Sequence, residues 1–398
     1  MTPSSIAVAP SSAGLTVGDL ARALAAQGVG ARVSGDAAVT ITGLCQDSRK
    51  IRAGEVFAAR AGQSLSGATF ARSAKERGAV AIMVERGTRL SEAALAILEV
   101  DDIHLAIALG AEVAYGRPSR SLEVIGVTGT NGKTTVSWLL EAALSGAGCR
   151  SARLGTLGYA FEGDCVDSPL TTPEADEIAR YAARARDSGA THLAMEVSSH
   201  ALAQRRVDAL RFACAAFTNL TQDHLDFHTT MEDYARAKLR LFTDLAPEVV
   251  VFNSEDALGQ RIARETTRPA VSVSRHKNAD VYPLEVQSGP TGMHARVQLP
   301  SGVVDLSSPL LGEHNLENLL ITLAVIDALG LRVDRAARAL AEAPSVPGRL
   351  ERCDTDHDDV TVLVDYAHTP DALARVLSLA RQLTRTELGC VFGCGGDR

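Results

Sequence analysis

The run Val127-Thr128-Gly129-Thr130-Asn131-Gly132-Lys133-Thr134-Thr135 combines the residue types that hold a polyphosphate. Glycines at 129 and 132 let backbone N–H groups close around phosphate oxygens, Lys133 adds a point charge, and the Thr134 hydroxyl suits Mg2+. A helix opening at this point aims the positive end of its dipole at the same anion. The standard form of such a loop carries glycine five residues before Gly132, where this chain has Val127, so the loop is a variant. A nucleotide triphosphate is the expected ligand.

Further chemistry-bearing clusters follow. Glu196-Val197-Ser198-Ser199-His200 places a carboxylate and two hydroxyls at the carboxyl end of an apolar run, where open α/β sheets bind their ligands. Glu196 suits a metal ion, and a plain strand-end cap is the alternative. Asp223-His224-Leu225-Asp226-Phe227-His228 packs two Asp and two His into one loop. No glutamate follows the first histidine and no third ligand is in place, so magnesium beside a nucleotide fits better than hydrolytic zinc. Lys238, on an expected helix over 231–245, reads by itself as a solvated surface lysine. Asp365-Tyr366-Ala367-His368 ends another expected strand, and on spacing alone its polar residues cap the helix that follows.

Positioning these residues takes an α/β fold. Apolar runs at 124–128, 152–157, 192–197, 213–218 and 249–253 alternate with helical stretches, the pattern of a mostly parallel sheet covered on both faces. Residues 281–306 alternate apolar and polar around Ser288-Gly289-Pro290, which predicts a small antiparallel hairpin. Helical spacing returns at Leu316, Leu319, Leu320, Leu323 and Ile326 and stops at Gly330. Ahead of this core, 16–118 mixes short elements, including a helix at 17–27 and a strand at 80–84, and closes at Arg117-Pro118-Ser119. Pro344-Ser345-Val346-Pro347-Gly348 separates the core, 119–345, from a third domain, 346–398, with strands at 360–364 and 389–392 around a helix at 371–383. A third domain that short is a marginal α/β fold and is expected to be incomplete. Residues 1–15, rich in Ser, Ala and Pro, read as a disordered tail without the features of a signal peptide.

The 398 residues call for more than one core. A net charge of −8, without a basic tract, argues against a nucleic-acid surface. The absence of an eighteen-residue apolar run argues against membrane insertion and leaves the cytoplasm as the default compartment. Seven scattered cysteines (45, 149, 165, 214, 353, 390 and 394) read as buried free thiols. Cys390 and Cys394 lack a second pair for zinc and are expected to pack in a core.

Taken in order, seven segments resemble the motifs of the Mur ligases of peptidoglycan synthesis, and most closely those of the diamino-acid-adding MurE branch. They are Gly129 to Thr135, Thr171-Thr172-Pro173, Glu196 to His200, Asp223 to Asp226, Gly312-Glu313-His314-Asn315-Leu316-Glu317-Asn318, Pro347-Gly348-Arg349 and Asp365 to His368. The resemblance implies a three-domain architecture: a small α/β N-terminal domain, a central P-loop-type, mostly parallel sheet and a Rossmann-like C-terminal domain. It also implies an ATP-dependent amide ligase. ATP would phosphorylate the terminal carboxylate of a UDP-N-acetylmuramoyl dipeptide, and the amine of a diamino acid, by default meso-diaminopimelate, would attack the acyl phosphate. ATP and Mg2+ are the implied cofactors, and a monomer the implied state.

Carried over residue by residue, Gly129, Thr130, Asn131, Gly132, Lys133, Thr134, Thr135, Asn315, Asn318, Arg349 and Asp365 would bind ATP. Lys133, Glu196, His224 and Lys238 would carry catalysis. Thr134 would serve one Mg2+, while Glu196, His224 and Lys238, the last as a carbamate, would serve a second. Gln46, Ser48, Gln63, Ser64, Leu65, Thr171, Thr172, Ser198, Gln204 and Arg206 would hold the UDP-sugar peptide. Leu170 stands where many members have asparagine. The family's diaminopimelate-gripping motif lies downstream of Gly395-Gly396-Asp397-Arg398, so a chain with Arg398 as its true terminus is expected to lack a complete amino-acid site and to be inactive or poorly folded. The alternatives are another Mur ligase or a folylpolyglutamate synthase-like enzyme, and a non-catalytic remnant that binds UDP-sugar or ATP.

Overall fold

In the computed structural model, residues 14–61, 66–90, 95–289, 292–353, 359–368, 370–384 and 386–393 are described. They fall into two compact units. One takes the described residues up to Val124 together with Thr172–Leu193 and His200–Arg211; the other takes Ile125–Thr171, Ala194–Ser199 and the described residues from Phe212 on.

The first unit is built on a five-stranded sheet with spatial order Ala31–Ser34, Ala96–Val100, Ala81–Glu85, Glu55–Ala58, Gly43–Cys45. Four strands run parallel and Ala31–Ser34 is antiparallel to its neighbour. Strands Gly43–Cys45 and Glu55–Ala58 are buried throughout and Ala81–Glu85 at all but its last residue, the pattern of parallel strands covered on both faces. Helix Val17–Ala25 starts at a capping box in which Thr16 and Asp19 satisfy each other's backbone N–H. Its Leu20 and Leu24 join Leu44, Val56, Met83 and Leu98 in the core. Of the expected tail, residues 1–13 lie outside the described residues, while Leu15 accepts a hydrogen bond from the Ile41 N–H.

The second sheet has eight strands, ordered Ala270–Val273, Val249–Asn253, Phe212–Phe217, Glu123–Thr128, His192–Glu196, Ser151–Gly155, Gly158–Phe161, Asp164–Val166. The first three pair in parallel, and the last three form an antiparallel meander. Ile125, Val127, Leu139, Leu140, Val251, Leu319, Leu320 and Leu323 fill the core between this sheet and the helices Lys133–Gly146 and Glu313–Ala328.

Four expectations need correction. Residues 281–306 form three antiparallel strands, Tyr282–Gly289, Gly292–Leu299 and Gly302–Ser308, instead of one hairpin. Pro300-Ser301-Gly302 is a second turn, with Gly302 at φ 141°, and it divides the alternating run. The expected strand at 360–364 shrinks to Leu363–Val364, which among the described residues pairs only with Glu351–Arg352. The expected strand at 389–392 is not a strand: Val391 and Phe392 are exposed, and no ladder partner exists for it among the described residues. An apolar run becomes a strand only where a neighbour takes its hydrogen bonds. Finally, Cys45 and Cys214 are buried and Cys149 half-buried, but Cys165, Cys353 and Cys390 are exposed. Cys165 lies on the exposed edge strand Asp164–Val166 and Cys390 on the unpaired segment; Cys394 lies outside the described residues.

Helix Val333–Glu342 was not anticipated. Its Ala336, Ala337 and Leu340 are buried, and it crosses the phosphate-loop helix so closely that a Cβ on Gly146 would lie 2.4 Å from that of Ala339. Among the described residues, no helix is long and apolar enough to cross a membrane.

Candidate active site

Strand Glu123–Thr128 delivers its chain to a loop whose two glycines are sterically required. Gly129 has φ 153°, and a Cβ there would lie 1.8 Å from Thr218 Oγ1. Gly132 has φ 89°, and a Cβ there would lie 2.5 Å from Asn318 Oδ1. Val127, at the variant position, is fully buried within the strand, so that position belongs to the sheet core and not to the loop. The next strand over braces the loop: Thr130 N donates to Asn219 O (2.8 Å), Asn131 N to Asn219 Oδ1 (3.0 Å), and Thr218 Oγ1 to Asn131 O (2.6 Å).

Lys133 opens the helix and folds back over the loop, its Nζ donating to the carbonyls of Gly129 and Thr130, both at 2.9 Å. Burial pushes its pKa below the usual lysine range, and the charges of Glu196 and Asp223 oppose that shift. A phosphate entering the loop would supply the missing counter-charge. Thr134 and Thr135 are buried in the first turn.

Glu196, at the end of strand His192–Glu196, is 1% exposed. Its Oε2 accepts from Thr134 Oγ1 at 3.0 Å and its Oε1 from the Thr156 N–H at 2.7 Å. Thr156 Oγ1 also donates to Thr171 Oγ1 at 3.1 Å. A Cβ on Gly155 would lie 2.2 Å from Glu196 Oε1, so glycine is what lets the carboxylate sit there. Thr156 escaped the sequence reading although it follows a strand end, the signal that selected Glu196.

Lys238 is not a solvated lysine: it is 1% exposed, and its Nζ donates to Gly129 O at 2.8 Å. It lies over the Tyr234 ring at 4.5 Å. Burial, and next the charge of Lys133, push its pKa well below the ordinary value. His224 has φ 53°, its N–H donates to Asp223 Oδ1 at 2.8 Å, and its Nε2 lies 3.4 Å from Asp223 Oδ2. Burial lowers its pKa, which favours a neutral ring able to ligate, while Asp223 opposes the shift. His228 belongs to the packing: it is buried, bonds Ser199 Oγ at 2.9 Å and packs on Tyr234. The acid and histidine density of this loop therefore does not make a metal cluster. Among the described residues no group of three or more His, Cys, Asp or Glu side chains could hold a metal ion.

Helix Glu313–Ala328 contributes Asn315 and Asn318, both buried, with Asn318 Nδ2 donating to Asn315 Oδ1 at 3.1 Å. Arg349 reaches Thr134 Oγ1 at 3.3 Å and stacks 4.8 Å from the Tyr366 ring. Asp365 caps no helix; it ties a turn, accepting from the N–H groups of Leu350 and Ala367, each at 2.8 Å. Together these residues line a cavity of about 400 Å³, joined by His314, Glu317, Tyr366, His368 and Arg375, which the sequence reading had not assigned. That volume lies in the usual range for a small-molecule site. The same cavity is lined by Lys133, Glu196, Asp223 and His224.

In the first unit, Gln46 is engaged by Asp176 through its backbone N–H (3.2 Å) and Nε2 (2.8 Å), and Ser48 is buried. Arg206 donates to Thr172 O at 2.8 Å and to Gln204 Oε1 at 2.6 Å, and shares Glu174 Oε1 with Arg60. Three of the expected substrate residues, Gln204, Arg206 and Thr172, thus form one cluster. Thr171 and the half-buried Ser198 belong to the second unit, and Gln63, Ser64 and Leu65 lie outside the described residues.

Three family models match the chain: "Mur ligase family, catalytic domain" over residues 40–115, "Mur ligase middle domain" over 127–326, and "Mur ligase, glutamate ligase domain" over 348–398. The UDP-N-acetylmuramoyl-L-alanyl-D-glutamate–2,6-diaminopimelate ligase of Geobacter metallireducens is 42% identical over 96% of this chain and 75% of its own length. A solved structure of a ligase with that same name aligns with TM-score 0.76 and 31% identity, over 92% of this chain and 76% of that one. The MurF ligase of Thermotoga maritima in complex with ADP shares the fold, with TM-score 0.62 and 21% identity over 85% of this chain and 74% of that one.

Proposed function

This chain belongs to the Mur ligase family, in the branch of the UDP-N-acetylmuramoyl-L-alanyl-D-glutamate–2,6-diaminopimelate ligases, and on that premise we propose how its own residues perform the reaction. It is an ATP-dependent ligase of peptidoglycan synthesis. The dipeptide's terminal carboxylate takes the γ-phosphoryl group of ATP, and the amine of 2,6-diaminopimelate attacks the acyl phosphate, forming an amide and releasing ADP and phosphate.

The chemical difficulty is that an anionic carboxylate must approach an anionic phosphate. Fixed cations and N–H donors lower that barrier by stabilising charge on the transferring phosphoryl group. The loop N–H groups of 129–135 cradle the β- and γ-phosphates, and Lys133 turns from its loop carbonyls to those oxygens. Arg349 adds a second cation on the far side of Thr134. Asn315, Asn318 and Asp365 shape the nucleoside end of the cavity. The observation that carries this reading is the buried Thr134–Glu196 pair, 3.0 Å apart, beside Lys133 in one cavity with Arg349.

The donor set of Thr134 and Glu196 consists of oxygens and fits Mg2+. Lys238 as an amine does not fit, because its Nζ donates to Gly129 O. As a carbamate it would keep one Nζ–H donor and gain anionic oxygens, which with Glu196 and His224 would complete a second site. Bound there, Mg2+ would neutralise charge on the phosphate oxygens. In the first unit we assign Ser48 and the cluster of Thr172, Gln204 and Arg206 to the UDP-sugar peptide; Thr171 and Ser198 carry the same assignment within the second unit. A monomer without membrane insertion, acting in the cytoplasm and divided at 16–118, 119–345 and 346–398, completes the proposal.

The test is phosphate release from ATP. It is expected only when UDP-N-acetylmuramoyl dipeptide and diaminopimelate are supplied together; release with either omitted, at the same rate, would refute the ligase reading.

A further inference from the structure

Tyr234 takes no part in the chemistry described above, yet it touches Thr130 of the loop, Lys238 and His224. It lies on helix Met231–Thr243, one turn before Lys238, so the two side chains share a helix face. It is 1% exposed. Its hydroxyl lies 3.1 Å from Thr130 Oγ1. Thr130 Oγ1 donates to Thr221 O at 3.1 Å and accepts from the Thr221 N–H at 3.0 Å. Either hydroxyl can donate in the Tyr234–Thr130 bond, and with the Thr130 proton on Thr221 O the phenol is the donor.

The ring does separate work. Lys238 Nζ sits 4.5 Å from its centroid while donating to Gly129 O, and the rings of His224 and His228 pack against it at 6.0 and 5.2 Å. The hydroxyl thus reaches the phosphate loop at Thr130, and the ring reaches Lys238 and His224, which are assigned to the reaction.

We propose that Tyr234 is a positioning residue for the ligation: its hydroxyl pins the phosphate loop at Thr130, and its ring seats Lys238 beneath Gly129. Loop and lysine then hold one geometry before the nucleotide arrives, and ATP does not have to order them on binding. The inference deepens the reading of the cavity as an ATP site.

Tyr234→Phe removes the hydroxyl and keeps the ring. Its affinity for Mg-ATP, measured by titration calorimetry, is expected to fall about fivefold to tenfold, the size of one buried hydrogen bond, with kcat at saturating ATP within about twofold. Tyr234→Leu removes the ring too, and its kcat at saturating ATP is expected to fall by more than about tenfold. In a double-mutant cycle, Thr130→Val with Tyr234→Phe should lose no more affinity than Thr130→Val alone, since both delete the same bond. Wild-type ATP affinity in folded Tyr234→Phe would overturn the proposal, as would additive losses in the cycle. Lower melting temperatures with unchanged affinity and unchanged kcat per folded molecule would also overturn it, by reducing Tyr234 to packing. ATP binding is measured without the other substrates, so a wild-type protein that binds ATP but forms no amide would refute the ligase reading and leave the Tyr234 test readable.

Discussion

At the scale of single residues, the site depends on absences of side chain as much as on charges. Gly155 leaves room for Glu196, whose carboxylate is pinned by Thr134 and Thr156 and cannot step aside from a methyl group 2.2 Å away. Gly155→Ala is therefore expected to lower kcat by at least about 100-fold through displacement of the carboxylate, while the circular dichroism spectrum stays that of the wild type. Lys238→Ala is expected to abolish turnover, and normal turnover in a steady-state assay would remove Lys238 from the mechanism. The spacing of Lys133, Thr134 and Glu196 was readable because loop and strand-end chemistry leave local marks. Lys238 was not readable from its own position, since burial there depends on a helix packing beneath a loop far away in sequence. A signal was nevertheless present: Tyr234, Lys238 and Leu241 recur at helical spacing and are all buried.

At the scale of elements, apolar strands were legible because a parallel sheet buries both faces and leaves continuous runs such as Phe212–Phe217. Elements whose identity depends on a neighbour were not. The second turn at Pro300-Ser301-Gly302 was hidden inside an alternating run, and the residues at 389–392 read as a strand from composition while pairing with nothing described. Helix Val333–Glu342 was legible and overlooked: buried Ala336, Ala337 and Leu340 recur at helical spacing against the exposed charges of Asp334, Arg335 and Arg338. It braces the phosphate-loop helix from behind, so Leu340→Ala, which empties a fully buried position, is expected to cost about 2–5 kcal/mol in urea unfolding. ATP affinity of the folded variant should be unchanged, because Leu340 touches only the core.

At the scale of the whole molecule, the order of the motifs carried the family, and the three family matches follow the same order. Stability has a pH dependence that no motif announces. Glu112 is 5% exposed, accepts a hydrogen bond from Ser119 Oγ at 2.8 Å, and its other oxygen has no partner among the described residues. Burial lifts its pKa to about 7, against which Ser119, Arg120 and Arg186 pull it down. The folded state thus binds the proton more tightly than the unfolded chain, so Glu112 makes stability fall as pH rises from about 4.5 towards about 7. Glu112→Gln should flatten that part of the urea-unfolding profile; an unchanged slope would show that the carboxylate is already ionised in the fold. The central claim, that this site makes an acyl phosphate from ATP and the UDP-linked dipeptide, is tested most directly by positional isotope exchange, using ATP labelled at the β,γ-bridging oxygen. Without any diamino acid, the label is expected to scramble only when the dipeptide substrate is present, and to stop scrambling in Lys133→Ala. Scrambling without the dipeptide, or none when both ligands are bound, would contradict the account.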